Sequence, residues 1–387
     1  MVIWKILFCL SGFLIVWAMI GYKWSLRILN KIFTNRKLKK DYSQRPAVSV
    51  LVVAHNEEKV IADKLKNLVQ TEYPLNLIQY IVASDYSTDR TNELVEGFIK
   101  KHPELNIILY KAKDHKGKTN AQNEAQKLAT GEILIMTDAN AMFAPNAISE
   151  LVASFSDDRI VYVTGQLVYQ NSNTNDTAAA ESLYWEGDLE QRRIESNIQT
   201  ITAGNGAIYA CRNGEYYDFL PIECHDSCMP YYFARIGKRA IYNPDACAYE
   251  KAGEVNEDEF KRKVRMNRTI LKDIAAGFQV LNPMRYHWFA YFYFGHRTSR
   301  YLLWLSHGIL LLTSCILATR HWIYSLALVF QILFFAVAFC NYKMKITYKP
   351  INMITYYSMT ILAQWKGVYN CLTGKARPTW EKAESTR

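Results

Sequence analysis

Apolar positions in this chain fall into short runs and long runs. The short runs are Val48–Ala54, 78–83, 106–110 and 133–137. Each is followed by a stretch with helical spacing. The first, 57–70, places Val60, Ile61, Leu65, Leu68 and Val69 on one face. Stretches 89–100 and 118–129 repeat the behaviour, and Pro145 opens a fourth helix running to Phe155. Continuous short apolar runs mark buried parallel strands, and their alternation with helices predicts an α/β sheet with right-handed crossovers. After residue 160 the pattern changes. It predicts a strand at 161–169, a polar loop at 171–177 and a helix at 178–197. A glycine-flanked turn and strand follow at 201–211, then a helix at 227–235 and a short strand at 239–242. A basic amphipathic helix follows at 258–276.

The long runs are 1–22, 301–319 and 322–340. A helix of about 20 apolar residues crosses a bilayer, so these three are expected to span. The segment 351–372 contains Gln364 and Lys366 and either spans or lies in the interface. Residues 285–300 are rich in Tyr, Trp and Phe, as interfacial segments are. A cleaved signal peptide would carry its charge before the apolar stretch. Here Lys23, Arg27, Lys31, Arg36, Lys37, Lys39, Lys40 and Arg45 follow it. The positive-inside rule then puts the N-terminus outside and 46–300 in the cytoplasm of a multi-pass membrane protein. The expected organisation is a membrane helix 1–22, a basic connector 23–45, a cytoplasmic domain 46–257, interfacial helices 258–300, the later membrane segments and a tail 373–387.

The formal net charge of +10 gathers largely beside the membrane segments, where topology and anionic lipid explain it. No aromatic-interleaved basic stripe accompanies it, so nucleic acid is not an expected partner. Eight cysteines include no C-x-x-C pair. Cys224 and Cys228 flank His225 but lack the second ligand pair that a zinc site needs, and they read as reduced structural thiols.

The chemistry gathers where the short runs end. Val48–Ala54 leads into His55-Asn56-Glu57-Glu58, the second run into Ser84-Asp85-Tyr86-Ser87-Thr88-Asp89, and the fourth into Asp138-Ala139-Asn140. Open α/β sheets bind ligands outside the carboxyl ends of their strands. Neither a dinucleotide fingerprint nor a P-loop is present, so a nucleotide would be held by side chains and a metal. Asp85 can accept from a base N–H or a ribose hydroxyl, whereas Asp89 also suits a helix cap. Lys118, in Lys116-Gly117-Lys118, is either part of a solvated basic turn or a contact to a diphosphate at a helix start. Asp138 and Asn140 offer the hard oxygen ligands that Mg²⁺ or Mn²⁺ takes, though Asp-x-Asn also suits an ordinary turn. Asp226 opens a helical stretch, as its cap or as a general base. Arg262, Arg265 and Arg268 share one helix side, as a membrane flank or as contacts to phosphate or a polar acceptor.

Taken in order, these segments resemble the membrane-bound family 2 glycosyltransferases, the group of cellulose, hyaluronan and poly-N-acetylglucosamine synthases. SVLVVAHNEE is similar to the family's first strand with its Asn-Glu pair, VASDYSTDRT to its Asp-x-Ser-x-Asp segment, HKGKTNAQN to its Gly-Lys segment and DAN to its Asp-x-Asp slot. Gly204-Asn205-Gly206-Ala-Ile-Tyr209 resembles the acceptor-side glycine loop, HDS stands where the family has Glu-Asp, and the likeness extends to the tail at Trp380. The resemblance implies a GT-A fold and inversion at the anomeric carbon. It implies that Asn56, Glu57, Asp85, Asp89, Lys118 and Asp138 bind the nucleotide sugar, with Mg²⁺ or Mn²⁺ on Asp138 and Asn140. It makes Asp226 the base, and places Gly204, Asn205, Gly206, Arg262 and Arg265 on the acceptor side. The donor is expected to be a UDP-sugar and the acceptor a saccharide or lipid-linked saccharide. The expected product is a surface, capsular or extracellular polysaccharide or a lipid-linked precursor of one; the alternatives are transfer to a lipid or polyprenyl phosphate, or a non-catalytic membrane scaffold for polysaccharide export. Two departures stand out. Asn140 replaces the second Asp, and Arg262-Lys-Val-Arg265-Met266 replaces the Gln-x-x-Arg-Trp of processive synthases.

Overall fold

A computed structural model of the chain describes residues 1–33, 38–170, 176–251, 256–344, 346 and 348–379. Arg36, Lys37 and the Trp380 tail lie outside the described residues, as do the side chains of 176–186. The chain divides into two units. One comprises 33–170, 188–252 and 377–387, and the other comprises 1–32, 171–187 and 253–376.

The first unit is built on an eight-stranded sheet in the order β3-β2-β1-β4-β7-β6-β8-β5. The strands are β1 (Val48–Ala54), β2 (Ile78–Ser84), β3 (Asn106–Lys111), β4 (Ile133–Asp138), β5 (Met142–Phe143), β6 (Ile160–Tyr169), β7 (Tyr209–Arg212) and β8 (Arg239–Glu250). β1 pairs parallel with β2 and β4, and β2 pairs parallel with β3. This block is the one the alternating pattern predicts. β1 and β2 are buried at every position, as strands covered on both faces must be. One face packs Val50, Val52, Tyr80, Val82 and Ile135 with the helices Ile61–Val69 and Ala147–Ala153. The other packs Leu51, Ile81, Leu134 and Met136 with Lys118–Gln126 and His225–Arg235. β7 then runs antiparallel to both β4 and β6, so the sheet is mixed.

One strand differs in length from its sequence pattern. β8 spans 12 residues where the apolar run at 239–242 suggests four. Its second half, Ala246–Glu250, alternates in burial because it lies near the sheet edge between β6 and β5. Half-buried strands alternate, and that signal is weaker than a continuous run.

The second unit is helical. Its first helix does not stop at residue 22. A π-turn at Trp17–Gly21 leads directly into Tyr22–Ile32, giving 31 helical residues. The charges in its second half occupy one side, opposite buried Tyr22 and Leu26. Among the described residues, Val2–Ile32 and Trp322–Met344 are long and apolar enough to cross a membrane. Leu303–Leu317 qualifies only together with Trp288–Tyr301, from which it is bent by 60°. Lys349–Leu372 does not reach that hydropathy, and its buried Gln364 donates to the Arg300 carbonyl at 2.9 Å. The stretch 258–276 is two helices, Asn256–Met266 and Ile270–Gln279, broken where Asn267 turns its amide onto the Lys263 carbonyl.

Candidate active site

Two strand exits are shaped alike. β1 ends at Ala54, and Asn56 follows in the left-handed region at φ 56°. β2 ends at Ser84, and Tyr86 follows at φ 57°. Asn tolerates this conformation through local hydrogen bonds, but for a bulky tyrosine it is uncommon. Asn56 Oδ1 accepts from Thr88 N at 2.7 Å and Asp89 N at 3.3 Å, tying the two exits together. Asp89, two residues before the helix Thr91–Lys101, accepts from Thr91 N at 2.9 Å and from Glu58 N at 3.1 Å. Asn56 and Asp89 therefore build the wall of the crevice. Glu57 is buried at its base, and its backbone N–H donates to Thr91 Oγ1.

Asp85 is fully buried. Its carboxylate accepts from His115 Nδ1 at 2.8 Å, Gly117 N at 3.1 Å and Lys116 N at 3.2 Å. It thus holds the loop that delivers Lys118. His55 Nδ1 donates to the Asp85 carbonyl at 2.6 Å, and the two imidazoles stack at 4.0 Å, 13° from parallel. Ligand atoms of His55, Asp85 and His115 all lie within 4.8 Å of one another. In-plane lone pairs of parallel rings do not converge on one ion, so metal binding here needs one ring to turn. His55, His115 and Tyr86 are crevice residues that strand and motif reasoning passed over. The signal available was position alone, since each is one or two residues from a strand exit or from the Gly-Lys segment.

Asp138 ends β4, and its carboxylate pairs with Lys118 Nζ. Burial would lower the Lys118 pKa, but the carboxylates of Asp138 and Asp226 outweigh it and hold the amine above its ordinary value. Lys118 is thus paired with Asp138 and also feels the charge of Asp226. A Cβ on Gly206 would stand 3.0 Å from Lys118 Nζ and 3.4 Å from Asp138 Oδ2, so glycine leaves this pair open. Beneath the turn, fully buried Lys64 donates to the Ala141 carbonyl and to Thr137 Oγ1 at 3.0 Å. Burial pushes its pKa down to about 7, against the pull of Asp138 and Glu250. Asn140 Nδ2 donates to Glu250 at 2.5 Å. The oxygen donors of Asp138 and Asn140 suit a hard divalent cation that shares substrate phosphates.

Asp226 lies in the first turn of His225–Arg235, where a carboxylate also suits the positive helix end. Its backbone carbonyl accepts from Gly204 N at 2.7 Å. A Cβ on Gly204 would overlap the Tyr162 hydroxyl, so this approach requires glycine. Beside it, buried His225 donates from Nδ1 to Gln122 Oε1 at 2.9 Å, and its Nε2 faces the Tyr216 hydroxyl at 2.8 Å. Burial first, and then Lys118, push its pKa down to about 3, so the ring is neutral. Asn205 spends its amide within the loop. It donates to Thr164 Oγ1 and Gly165 O and accepts from Ala207 N and Ile208 N, each within 3.1 Å. Its side chain thus fixes the glycine turn that the resemblance places on the acceptor side.

Thus the first unit brings together Asn56, Glu57, Asp85, Asp89, Lys118, Asp138, Asn140, Gly204, Asn205, Gly206 and Asp226. Arg262 and Arg265 belong to the helical unit. There Arg262 makes a two-pronged pair with buried Glu259, at 2.6 and 2.9 Å.

Residues 49–212 match the model of glycosyl transferase family 2. The beta-monoglucosyldiacylglycerol synthase of Nostoc sp. is 30% identical over 184 residues, which is 47% of this chain and 37% of that protein. The hyaluronan synthase of Streptococcus pyogenes serotype M1 is 23% identical over 242 residues, 58% of this chain and 57% of that protein. The chain thus spans between about a third and three fifths of these relatives. Among solved structures, the mannosyltransferase PcManGT from Pyrobaculum calidifontis, in complex with GDP-Man and Mn²⁺, has a TM-score of 0.74 at 20% identity. It covers 95% of this chain and 99% of its own. The matched residues hold the whole parallel block and the Asp85, Lys118, Asp138 and Gly204 segments, so residues 49–212 are similar to the family 2 glycosyltransferases, and the fold is of the GT-A kind.

Proposed function

We propose that the chain is an inverting glycosyltransferase of a multi-pass membrane protein, with its active site on the cytoplasmic side. It moves a sugar from a UDP-sugar to a hydroxyl of a saccharide acceptor, in the synthesis of a surface, capsular or extracellular polysaccharide. The observation that carries this reading is the Lys118–Asp138 ion pair at the end of β4, which Gly206 leaves open. Glu57 and Asp85 lie at the nucleotide end, inside walls built by Asn56 and Asp89. Lys118 meets the diphosphate. Asp138 and Asn140 hold Mg²⁺ or Mn²⁺, which when bound neutralises charge on the departing diphosphate.

Asp226 takes the proton of the acceptor hydroxyl. The oxygen attacks the anomeric carbon from the face opposite the diphosphate. The bond from that carbon to the phosphate oxygen breaks, and its electron pair leaves with the nucleoside diphosphate. A positioned base of this kind contributes roughly 10²–10⁴-fold. In the helical unit, Glu259 fixes the Arg262 guanidinium.

The 30% identity to a lipid glucosyltransferase favours a second reading, a lipid acceptor. Purified protein offered a panel of nucleotide sugars with either an oligosaccharide or a diacylglycerol or polyprenyl phosphate distinguishes the two. Nucleoside diphosphate release that depends on the oligosaccharide supports the first reading. Release that depends only on a lipid replaces it with the second. A phosphate acceptor needs little help from a base, so Asp226→Asn is mild if the lipid is polyprenyl phosphate and severe if it is diacylglycerol, whose acceptor is a hydroxyl.

A further inference from the structure

The family slot that holds two carboxylates holds one here, because Asn140 stands in the second position. The structure places another carboxylate beside it. β5 and β8 run antiparallel with Met142 opposite Tyr249, so one step further along Ala141 falls opposite Glu250. Glu250 is the last residue of the extended β8, and its neighbour Tyr169 anchors it from β6. Its carboxylate accepts from Asn140 Nδ2 at 2.5 Å. A carboxylate only accepts, so this bond fixes which way the amide points: nitrogen toward Glu250, Oδ1 away from it. The buried Lys64 ammonium, bonded to Thr137 and Ala141 on either side of the turn, feels both Asp138 and Glu250. The two carboxylates and the amide thus surround a single turn of backbone.

We propose that Glu250 is a positioning residue of the divalent-metal site, turning Asn140 Oδ1 out as a ligand and supplying the negative charge that Asn140 lacks. This rests on the assignment of Asp138 and Asn140 as metal ligands. A charged acceptor on the amide N–H also polarises the amide and makes its oxygen a better donor to a cation. The charge missing from the Asp-x-Asn segment is thereby supplied from another strand, about 110 residues away in sequence.

The test is Mn²⁺ binding, read by the loss of the free Mn²⁺ paramagnetic resonance signal, for full-length protein in detergent with and without UDP. Glu250→Gln keeps an acceptor for the amide and removes the charge, and its Mn²⁺ affinity should fall by about 10–100-fold, the usual cost of losing an outer partner. The exchange Asn140→Asp with Glu250→Gln moves the carboxylate from one side of the bond to the other and should recover the binding. Thermal melts taken alongside separate loss of fold from loss of metal. If wild type binds Mn²⁺ and both variants bind it equally well, Glu250 has no such role while the metal assignment stands. If wild type binds no Mn²⁺ in either condition, the metal assignment and this inference fall together.

Discussion

Asp85 and Asn205 show how side chains set the site at the scale of single residues. Both are buried polar groups whose oxygens accept from two backbone N–H groups, and each thereby holds a loop of the crevice. Asn205→Ala leaves the Ala207 and Ile208 N–H groups without their acceptor, at about 1–3 kcal/mol for each buried group. The expected result is a lowered thermal midpoint and weakened acceptor use, with donor binding less affected. Asp138→Ala should abolish Mn²⁺-dependent donor binding, measured by calorimetry with UDP. Unchanged binding would remove Asp138 from the metal site. The residue scale was also the least legible in sequence. Carboxylates at strand exits stand out because the strands before them are continuous apolar runs. His55, His115, Lys64 and Glu250 do not, because their importance lies in partners 30 to 110 residues away.

At the scale of elements, the helix Ile61–Val69 carries Lys64 toward the core, where an apolar residue would ordinarily sit. Its pKa of about 7 lies below the 10.5 of the unfolded chain. Between those values the unfolded state binds a proton that the folded state does not, so folding stability rises with pH across that window. Lys64→Met removes the titration. Stability of wild type relative to the variant should therefore climb as pH goes from 7 toward 10, and chemical denaturation at several pH values measures it. A flat difference would contradict the buried placement of the amine. His225, with a folded pKa near 3 against 6.5, acts with the same sign in a lower window: stability present at neutral pH is lost as pH falls from about 6.5 toward 3. Element existence was legible wherever one period dominated, as in β1 to β4 and their helices. It failed where periods changed within an element. The apolar anchor passes into an amphipathic helix at Trp17–Gly21, and β8 passes from a continuous run to an alternating one. The break at Asn267 came from a side chain competing for a backbone carbonyl, which hydrophobic spacing does not report.

At the scale of the whole molecule, the chain joins a segment similar to the family 2 glycosyltransferases to helices long and apolar enough to span a membrane. Polar side chains inside the helical unit pair with one another, as His307 Nε2 with the Tyr357 hydroxyl at 2.8 Å and Asn341 with Asn352 at 2.9 Å. Interhelical pairs of this kind satisfy polar groups that lipid cannot. Deleting residues 1–32 should leave the protein resistant to alkaline extraction from membranes, because Trp322–Met344 is also long and apolar enough to span. Release into the supernatant would contradict the assignment of that helix. The central claim, that Asp226 is the base of a sugar transfer in the Lys118–Asp138 crevice, has one direct measurement. It is acceptor-dependent release of nucleoside diphosphate by wild type and by Asp226→Asn, alongside donor binding by each. The account predicts that the variant binds donor as wild type does and releases product roughly 10²–10⁴-fold more slowly. Equal rates in the two proteins would contradict it.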